Sequence, residues 1–432
     1  MQLTDVLYFI VKVAAVLFTT SLVLFSYRLI YLLYGFKKPK TFKDTEKKGK
    51  YAILVAARDE SAVIEALLKS IKNQTYDKEY FDVFVVTETE DDPTNKIVER
   101  YKYNYFVRKD LENKHTKGFA LDEVVKDIYA KNLKYDAFFI IDADNTIAPN
   151  YIEEMNKAYQ SGVEVGMSYK NVTNINDNWV SCCSALLFSN VNTFQNKAKT
   201  RISKTMLISG TGLYISSKIM DEFRGFPFTT LTEDYELSNY LASHKVKVDY
   251  IETTDVYVQQ PVKLSTVNKQ RTRWVRGFLD VNGKLIKEER NNKNKRNKFV
   301  YLGYRLAIIP NIVFIATMIL YVLALIGLAI AALAMQNYSV LQLTAYWLFG
   351  FLLTYQVLLM AYTGLQFLAE RKHLKISKKN ILLAILLNPF FINLFIPQAI
   401  VALFNKNIGW KKIERTKTEV DVVEGQAGVK NG

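Results

Sequence analysis

Four long apolar stretches, one opening the chain and three near its end, constrain this fold more than any other feature. A backbone carried into hydrocarbon must satisfy its own N–H and C=O groups, which leaves such stretches the helix. The first lies within residues 1–36, apolar from Leu7 to Phe36 apart from Lys12, Arg28 and scattered Ser and Thr. Lys12 and Arg28 sit on either side of Thr20, each about 12 Å from it at the helical rise. Both can snorkel from the edges of a core about 30 Å thick. A cleaved signal peptide fits less well, because the stretch is too long and no small-residue cleavage pattern ends it. Residues 302–334, interrupted by Pro310, and 341–368 form two further spans joined by the polar Met335 to Ser339. Residues 381–404 are broken at Asn388-Pro389 and Pro397. They read as a fourth span or a bent interfacial hairpin, and basic residues on both flanks favour the hairpin.

Charge gives these helices a direction. The chain carries 57 Lys+Arg against 42 Asp+Glu, a formal net charge of +15. Lys37, Lys38, Lys40, Lys43, Lys47, Lys48 and Lys50 follow the first span, and Arg371, Lys372, Lys375, Lys378 and Lys379 follow the third. Lysine runs flanking apolar segments mark the cytoplasmic side and anionic lipid, and argue against nucleic acid as partner. The N-terminus is then expected outside. Residues 405–432, with Lys406, Lys411, Lys412, Arg415 and Lys417, form a basic cytoplasmic tail. Cys182 and Cys183 are adjacent, a poor arrangement for a structural disulfide. His115, His244 and His373 are too few and too scattered for a histidine-type metal cluster.

Residues 40–298 are long enough for one large domain. Ala52–Ala57, Asp82–Thr87 and Ala137–Ile141 read as strands, alternating with helical runs at Ser61–Lys72 and Phe119–Tyr129. This alternation predicts a mainly parallel, doubly wound α/β sheet, whose sites form beyond the C-terminal ends of its strands. Asp142-Ala143-Asp144 follows such a strand. Two carboxylates one residue apart can face one divalent cation, with nucleotide phosphates completing its oxygen shell, although turns favour Asp in any case. Thr232-Glu233-Asp234 precedes the helical run Tyr235 to Leu241. Thr232 or Asp234 could cap that helix, and Asp234 could also accept the proton of an attacking hydroxyl. Gln270 to Trp274 packs a carboxamide, two guanidinium forks, a hydroxyl and an indole into one stretch, suited to phosphate oxygens and to a sugar or base face. Its helical spacing, from Leu264 through Val267, Arg271, Trp274, Val275 and Phe278, fits either an interfacial helix or an ordinary domain-closing one. Lys117-Gly118 could touch a diphosphate or simply begin a helix.

The succession Ala56 to Glu60, Lys117-Gly118, Asp142-Ala143-Asp144, Thr232-Glu233-Asp234 and Gln270-x-x-Arg273-Trp274 resembles the membrane-bound family 2 glycosyltransferases. It is most similar to their cellulose-synthase-like and hyaluronan-synthase-like members, over Tyr51 to Gly277. The resemblance implies a GT-A-type α/β fold, a Rossmann-like mixed sheet flanked by transmembrane helices. It also implies inverting, metal-dependent hexosyl transfer from a nucleoside-diphosphate sugar, with a UDP-sugar as the expected donor and Mg2+ or Mn2+ as the ion. On this reading Asp142 and Asp144 form the nucleotide–metal site, and Asp234 is the catalytic base with Glu233 beside it. Gln270 and Arg273 hold the diphosphate, Lys117 can reach it, and Trp274 stacks on the acceptor sugar. Ser209-Gly210-Thr211-Gly212 stands where the family has its acceptor-side loop, bringing Gly210 and Thr211 close to the acceptor. Glu88, with Asp91 and Asp92 nearby, occupies the place of the family's usual nucleoside-contacting Asp.

Three functions are compatible with these motifs. The first is processive synthesis of a β-glycan-like polysaccharide, which the Gln-x-x-Arg-Trp motif favours. The second is single transfer to a lipid or lipid-linked carrier in envelope glycan assembly. The third, an inactive scaffold, is disfavoured by the intact Asp144, Asp234 and Arg273. The partners expected are membrane lipids, the nucleotide sugar, and a growing glycan or lipid-linked acceptor. Few spans for a polymer channel would call for a second copy or an accessory subunit.

Overall fold

Eight strands form one sheet in the order β3-β2-β1-β4-β7-β6-β8-β5, in a computed structural model that describes residues 3–26, 28–112, 115–291, 309–371, 373–405 and 408. The strands are β1 Tyr51–Ala56, β2 Phe81–Thr87, β3 Asn104–Val107, β4 Ala137–Ile140, β5 Thr146–Ile147, β6 Val165–Val172, β7 Leu213–Ser216 and β8 Val248–Val258. β1, β2 and β4, as their apolar runs suggested, pair in parallel, and β3 joins them at the edge beside β2. The other half is mixed. β7 lies antiparallel to both β4 and β6, and β5 antiparallel to β8, whereas β6 and β8 are parallel. The mainly parallel sheet expected from the alternation thus holds for one half, and the GT-A-like mixed sheet describes the whole.

Two apolar layers sandwich the sheet. One gathers Leu54, Val86, Leu121, Val125 and Ile140, and the other Ile53, Val85, Leu68, Ile71 and Tyr151. Successive strand residues point to opposite faces, so β1 supplies Leu54 to one layer and Ile53 to the other. The first helical run is shorter than Ser61–Lys72, forming at Ile64–Lys72, and the second runs Lys117–Ala130. Both cysteines are free and buried in the helix Trp179–Ser189.

Among the described residues, four helical segments are long and apolar enough to cross a membrane: Asp5–Gly35, Val313–Ala334, Tyr338–Glu370 and Lys378–Phe404. Helix Leu3–Phe25 runs antiparallel to Ile309–Ala334. Phe18 meets Phe314 and Tyr321, and the Ser21 and Thr317 hydroxyls lie 2.8 Å apart. Pro310 is the second residue of the described helix Ile309–Ala334. Residues 302–308 of that expected span, 292–298 of the expected domain, and 406–407 and 409–432 of the tail lie outside the described residues. Large apolar side chains such as Phe9, Val16, Leu33, Trp347 and Phe349 face outward, as a lipid-facing surface requires.

The last apolar segment departs from the hairpin expectation. Helices Lys378–Asn393 and Phe395–Phe404 are separated by Leu394 alone, whose backbone is right-handed helical. One helical residue leaves no room for a reversal, so the chain passes Pro389 and Pro397 without turning back. The segment's polar side chains bond to its neighbours: Asn388 donates to the Thr363 hydroxyl at 2.9 Å, and the Tyr355 hydroxyl donates to Asn393 at 3.0 Å.

The spans meet the domain by close packing. Helix Arg28–Gly35 ends against Asn190–Asn196, where a Cβ on Gly35 would lie 2.2 Å from the Phe194 ring. Gly35→Leu is therefore expected to lower the thermal midpoint of the detergent-solubilised protein by about 4–8 °C. Gly350→Leu, which enters open space, should leave it unchanged in the same melting experiment.

Candidate active site

The site lies where β4 ends and β7 begins. Beyond β4 the backbone N–H of Asp142 donates to the Thr211 hydroxyl at 2.9 Å, and Asn145 donates to the same oxygen at 2.8 Å. This fixes the Asp142–Asp144 turn against the Ser209–Gly212 loop that leads into β7. Lys117 opens its helix and also reaches this junction. Its ammonium pairs with Asp142 and donates to the Gly210 carbonyl at 2.6 Å. Lys117 thus starts a helix, as one of its two readings had it, and its ammonium lies at the Asp142 turn.

Asp234 faces Gly210, where a Cβ would lie 3.4 Å from its Oδ2. Thr232 does occupy the N-cap of helix Glu233–Ser243, but no side chain caps that helix. Asp234 lies two residues past the N-cap and, among the described residues, accepts from the adjacent Tyr235 N–H, at 2.8 Å. The capping expectation is thus corrected, and the carboxylate is left for other work. Burial pushes both neighbouring acids up. Glu233 rises to about 7 through desolvation and the charge of Asp234, opposed by Lys117. Asp234 is raised by desolvation, offset by its bond to Tyr235 and by Lys170, Lys117 and Arg273.

Helix Leu264–Asn291 closes the site. Gln270, Arg273, Trp274 and Gly277 share one face at spacings of three and four residues. At Gly277 that face touches Thr232, since a Cβ there would lie 2.5 Å from the threonine methyl. One turn earlier, Arg273 lies within electrostatic reach of Asp234. Trp274 stands edge-on to Phe188, with ring centroids 6.2 Å apart. Arg271 points the other way and is buried between the Phe391 and Phe395 rings at 4.1 and 4.2 Å. The helix is held between the Thr232 turn and the last apolar segment.

Lys170, Phe188 and Arg108 lie at the site although no sequence pattern singles them out. Lys170 on β6 is 7% exposed, donates to the Ser209 carbonyl at 2.5 Å and lies 4.8 Å above the Phe188 ring. Phe188 thus links Lys170 to Trp274. Glu88, just past β2, pairs with Arg58 and lies 3.6 Å from Arg108, whose guanidinium also binds Glu123 at 2.7 Å. No local pattern connects these partners, because they come from separate strand ends.

Asp142 and Asp144 are partly exposed on one turn, an all-oxygen pair suited to a hard divalent ion. Among the described residues, no third Asp, Glu, His or Cys joins them in a metal-holding group. The pair fits an ion that takes its remaining ligands from substrate phosphates and water.

Residues 48–277 match the family model described as Glycosyltransferase like family 2. The probable glycosyltransferase YdaM of Bacillus subtilis is 24% identical over 274 residues, covering 62% of this chain and 64% of that protein. The beta-monoglucosyldiacylglycerol synthase of Nostoc sp. is 22% identical over 261 residues, covering 58% and 54%. This chain's match therefore spans less than two thirds of either relative. The mannosyltransferase PcManGT from Pyrobaculum calidifontis, solved with GDP-Man and Mn2+, superposes with a TM-score of 0.54 at 14% identity. It covers 90% of this chain and 100% of that one, a likeness of fold.

Gly277→Val tests the closing contact. A branched side chain must push the helix off Thr232, and a displacement of about 1 Å costs roughly 100-fold in rate. Sugar transfer should fall by that order while the far-ultraviolet circular dichroism is retained.

Proposed function

We infer the function from one premise: this chain belongs to glycosyltransferase family 2, whose model spans residues 48–277. Within that family we read it as an inverting hexosyltransferase that uses a nucleoside-diphosphate sugar, with a UDP-sugar as donor, at the cytoplasmic face of the cell membrane. The observation that carries the reading is the gathering of Asp234 and the Lys117–Asp142 pair around Gly210, with Arg273 within electrostatic reach of Asp234.

Asp234 takes the proton of the acceptor hydroxyl while that oxygen bonds to the anomeric carbon. The bond from that carbon to the diphosphate breaks, and its electron pair leaves with the nucleoside diphosphate. Arg273 and Gln270, on the face turned toward Asp234, hold the diphosphate, and Lys117 contributes a further cation as charge develops there. A Mg2+ or Mn2+ ion held by Asp142 and Asp144 would add Lewis-acid stabilisation of the leaving group. Glu88, steadied by Arg58 and Arg108, faces the nucleoside side. Gly210 and Thr211 border the acceptor, and Trp274 with Phe188 offers it an aromatic wall.

Processive synthesis is supported by Gln270-x-x-Arg273-Trp274. Single transfer to a membrane lipid has its own support. The helices Leu3–Phe25 and Ile309–Ala334 pack directly on each other, and a relative is named beta-monoglucosyldiacylglycerol synthase. A cytoplasmic domain is supported by Lys37 to Lys50 and Arg371 to Lys379, which flank the span ends that meet the domain. Membranes incubated with a panel of nucleotide sugars and Mg2+ or Mn2+, followed by product sizing, separate polymer from single addition. Consumption of no donor would overturn the enzymatic reading.

Asp234→Asn should reduce transfer by about 10²–10⁴-fold. The pH dependence follows from the raised carboxyls. Asp234 must be ionised to act, and a raised acid ionises only at higher pH. Activity should therefore be lost as pH falls while still above the ordinary carboxylate range, because burial raises Asp234 and it titrates together with Glu233. A log(kcat/KM) profile with its acid limb at ordinary carboxylate values would contradict this.

A further inference from the structure

We propose that Lys170 is a positioning residue for the transfer reaction, supplying the counter-charge that keeps Asp234 ionised and turned toward the acceptor. The inference rests on Asp234 being the base. Lys170 and Lys117 donate to consecutive carbonyls, Ser209 and Gly210, of one loop. The two ammoniums therefore bracket the loop against which Asp234 lies. They are not equivalent. Lys117 is engaged in an ion pair with Asp142, whereas among the described residues Lys170 makes no ion pair within 4.0 Å and its ammonium contacts only the Ser209 carbonyl and the Phe188 ring.

A buried ammonium without a contacting carboxylate is costly, and a lysine kept there for structure alone could be an apolar residue. Desolvation depresses Lys170 to about 8, and the charges that oppose this are Asp142 and Asp234. The relation is mutual. The charges that favour ionised Asp234 are Lys170 first, then Lys117 and Arg273. The groups facing Asp234 are thus Lys170 from β6, Lys117 from helix Lys117–Ala130, Arg273 from helix Leu264–Asn291, and Glu233 from its own helix. Arg273 faces the leaving diphosphate and Lys117 faces Asp142, so Lys170 is the cation placed on the acceptor side of the base, beside the Phe188–Trp274 wall.

The experiment compares Lys170→Gln, which keeps a donor for the Ser209 carbonyl but no charge, with Lys170→Arg, which keeps the charge. For Lys170→Gln the acid limb of the kcat profile should move up by about one pH unit, so kcat below the limb falls about tenfold. Its rate should approach wild type above pH 8, where Lys170 itself gives up its proton, and the donor KM should change by less than about twofold. Lys170→Arg should leave the limb in place. A uniform drop of kcat at every pH in Lys170→Gln would mean that the lysine only braces the loop, and a change confined to donor KM would make it a diphosphate ligand. Either result overturns the proposal. If wild type transfers no sugar, or Asp234→Asn is fully active, it is the underlying assignment of the base that fails.

Discussion

Much of this structure depends on the burial of one guanidinium. Arg271 is 1% exposed, sandwiched between two phenylalanine rings and donating to the Phe391 carbonyl. Removing a guanidinium from water is tolerable only where its face meets π-density and its N–H groups find acceptors. The last apolar segment supplies both rings and one acceptor, the Phe391 carbonyl, while among the described residues the buried Nε has no partner. Thr272 reinforces the contact through Gln398 at 2.7 Å, and Arg276 through the Ala402 carbonyl at 3.3 Å. The opposite face of the same helix closes on Thr232 at Gly277. A single helix is thereby gripped by the apolar segment on one side and by the Thr232 turn on the other. This contact sets the face on which Arg273 and Trp274 stand.

A second link passes through β6. Lys170 faces the candidate base, while its neighbour Tyr169 donates to the fully buried Glu370 at 2.7 Å and stacks on His373 at 4.6 Å. Glu370 ends the helix Tyr338–Glu370. Adjacent residues of one strand therefore contact the foot of an apolar helix and the Ser209 carbonyl of the candidate site's loop. The pairing of β6 with β8 shifts register between Ser168 and Tyr169, and such irregularities re-aim side chains near functional sites.

How much of this was legible in the sequence follows from how local each signal is. β1, β2 and β4 announce themselves as apolar runs, and the acids beyond them mark strand ends by their contrast. β7 does not. Its four residues acquire meaning only by pairing antiparallel with β4 and β6, a non-local event that no run encodes. Lys170 was invisible for a related reason, being a lone lysine in Met167 to Val172 that reads as a solvent-facing strand position. Arg271 and Arg273 look interchangeable as letters. A helix separates residues two apart by about 200°, so only one of them can face the site. The shared face of Gln270, Arg273, Trp274 and Gly277 was readable from that spacing, whereas the two rings that receive Arg271 lie more than a hundred residues away.

The last apolar segment shows why prolines and asparagines misled. In water Asn388-Pro389 would signal a turn. In a segment packed against another helix, the carboxamides can instead be satisfied across the interface, by Thr363 for Asn388 and by Tyr355 for Asn393. The N–H that Pro389 lacks then costs one bond rather than the whole helix. Because the chain stays helical, it extends far enough to present Phe391, Phe395, Gln398 and Ala402 in one row to Arg271, Thr272 and Arg276. A hairpin reversing at Pro389 would have carried the later members of that row away from helix Leu264–Asn291. The polar residues that suggest a break thus allow the segment to hold the helix bearing the Gln270–Trp274 motif.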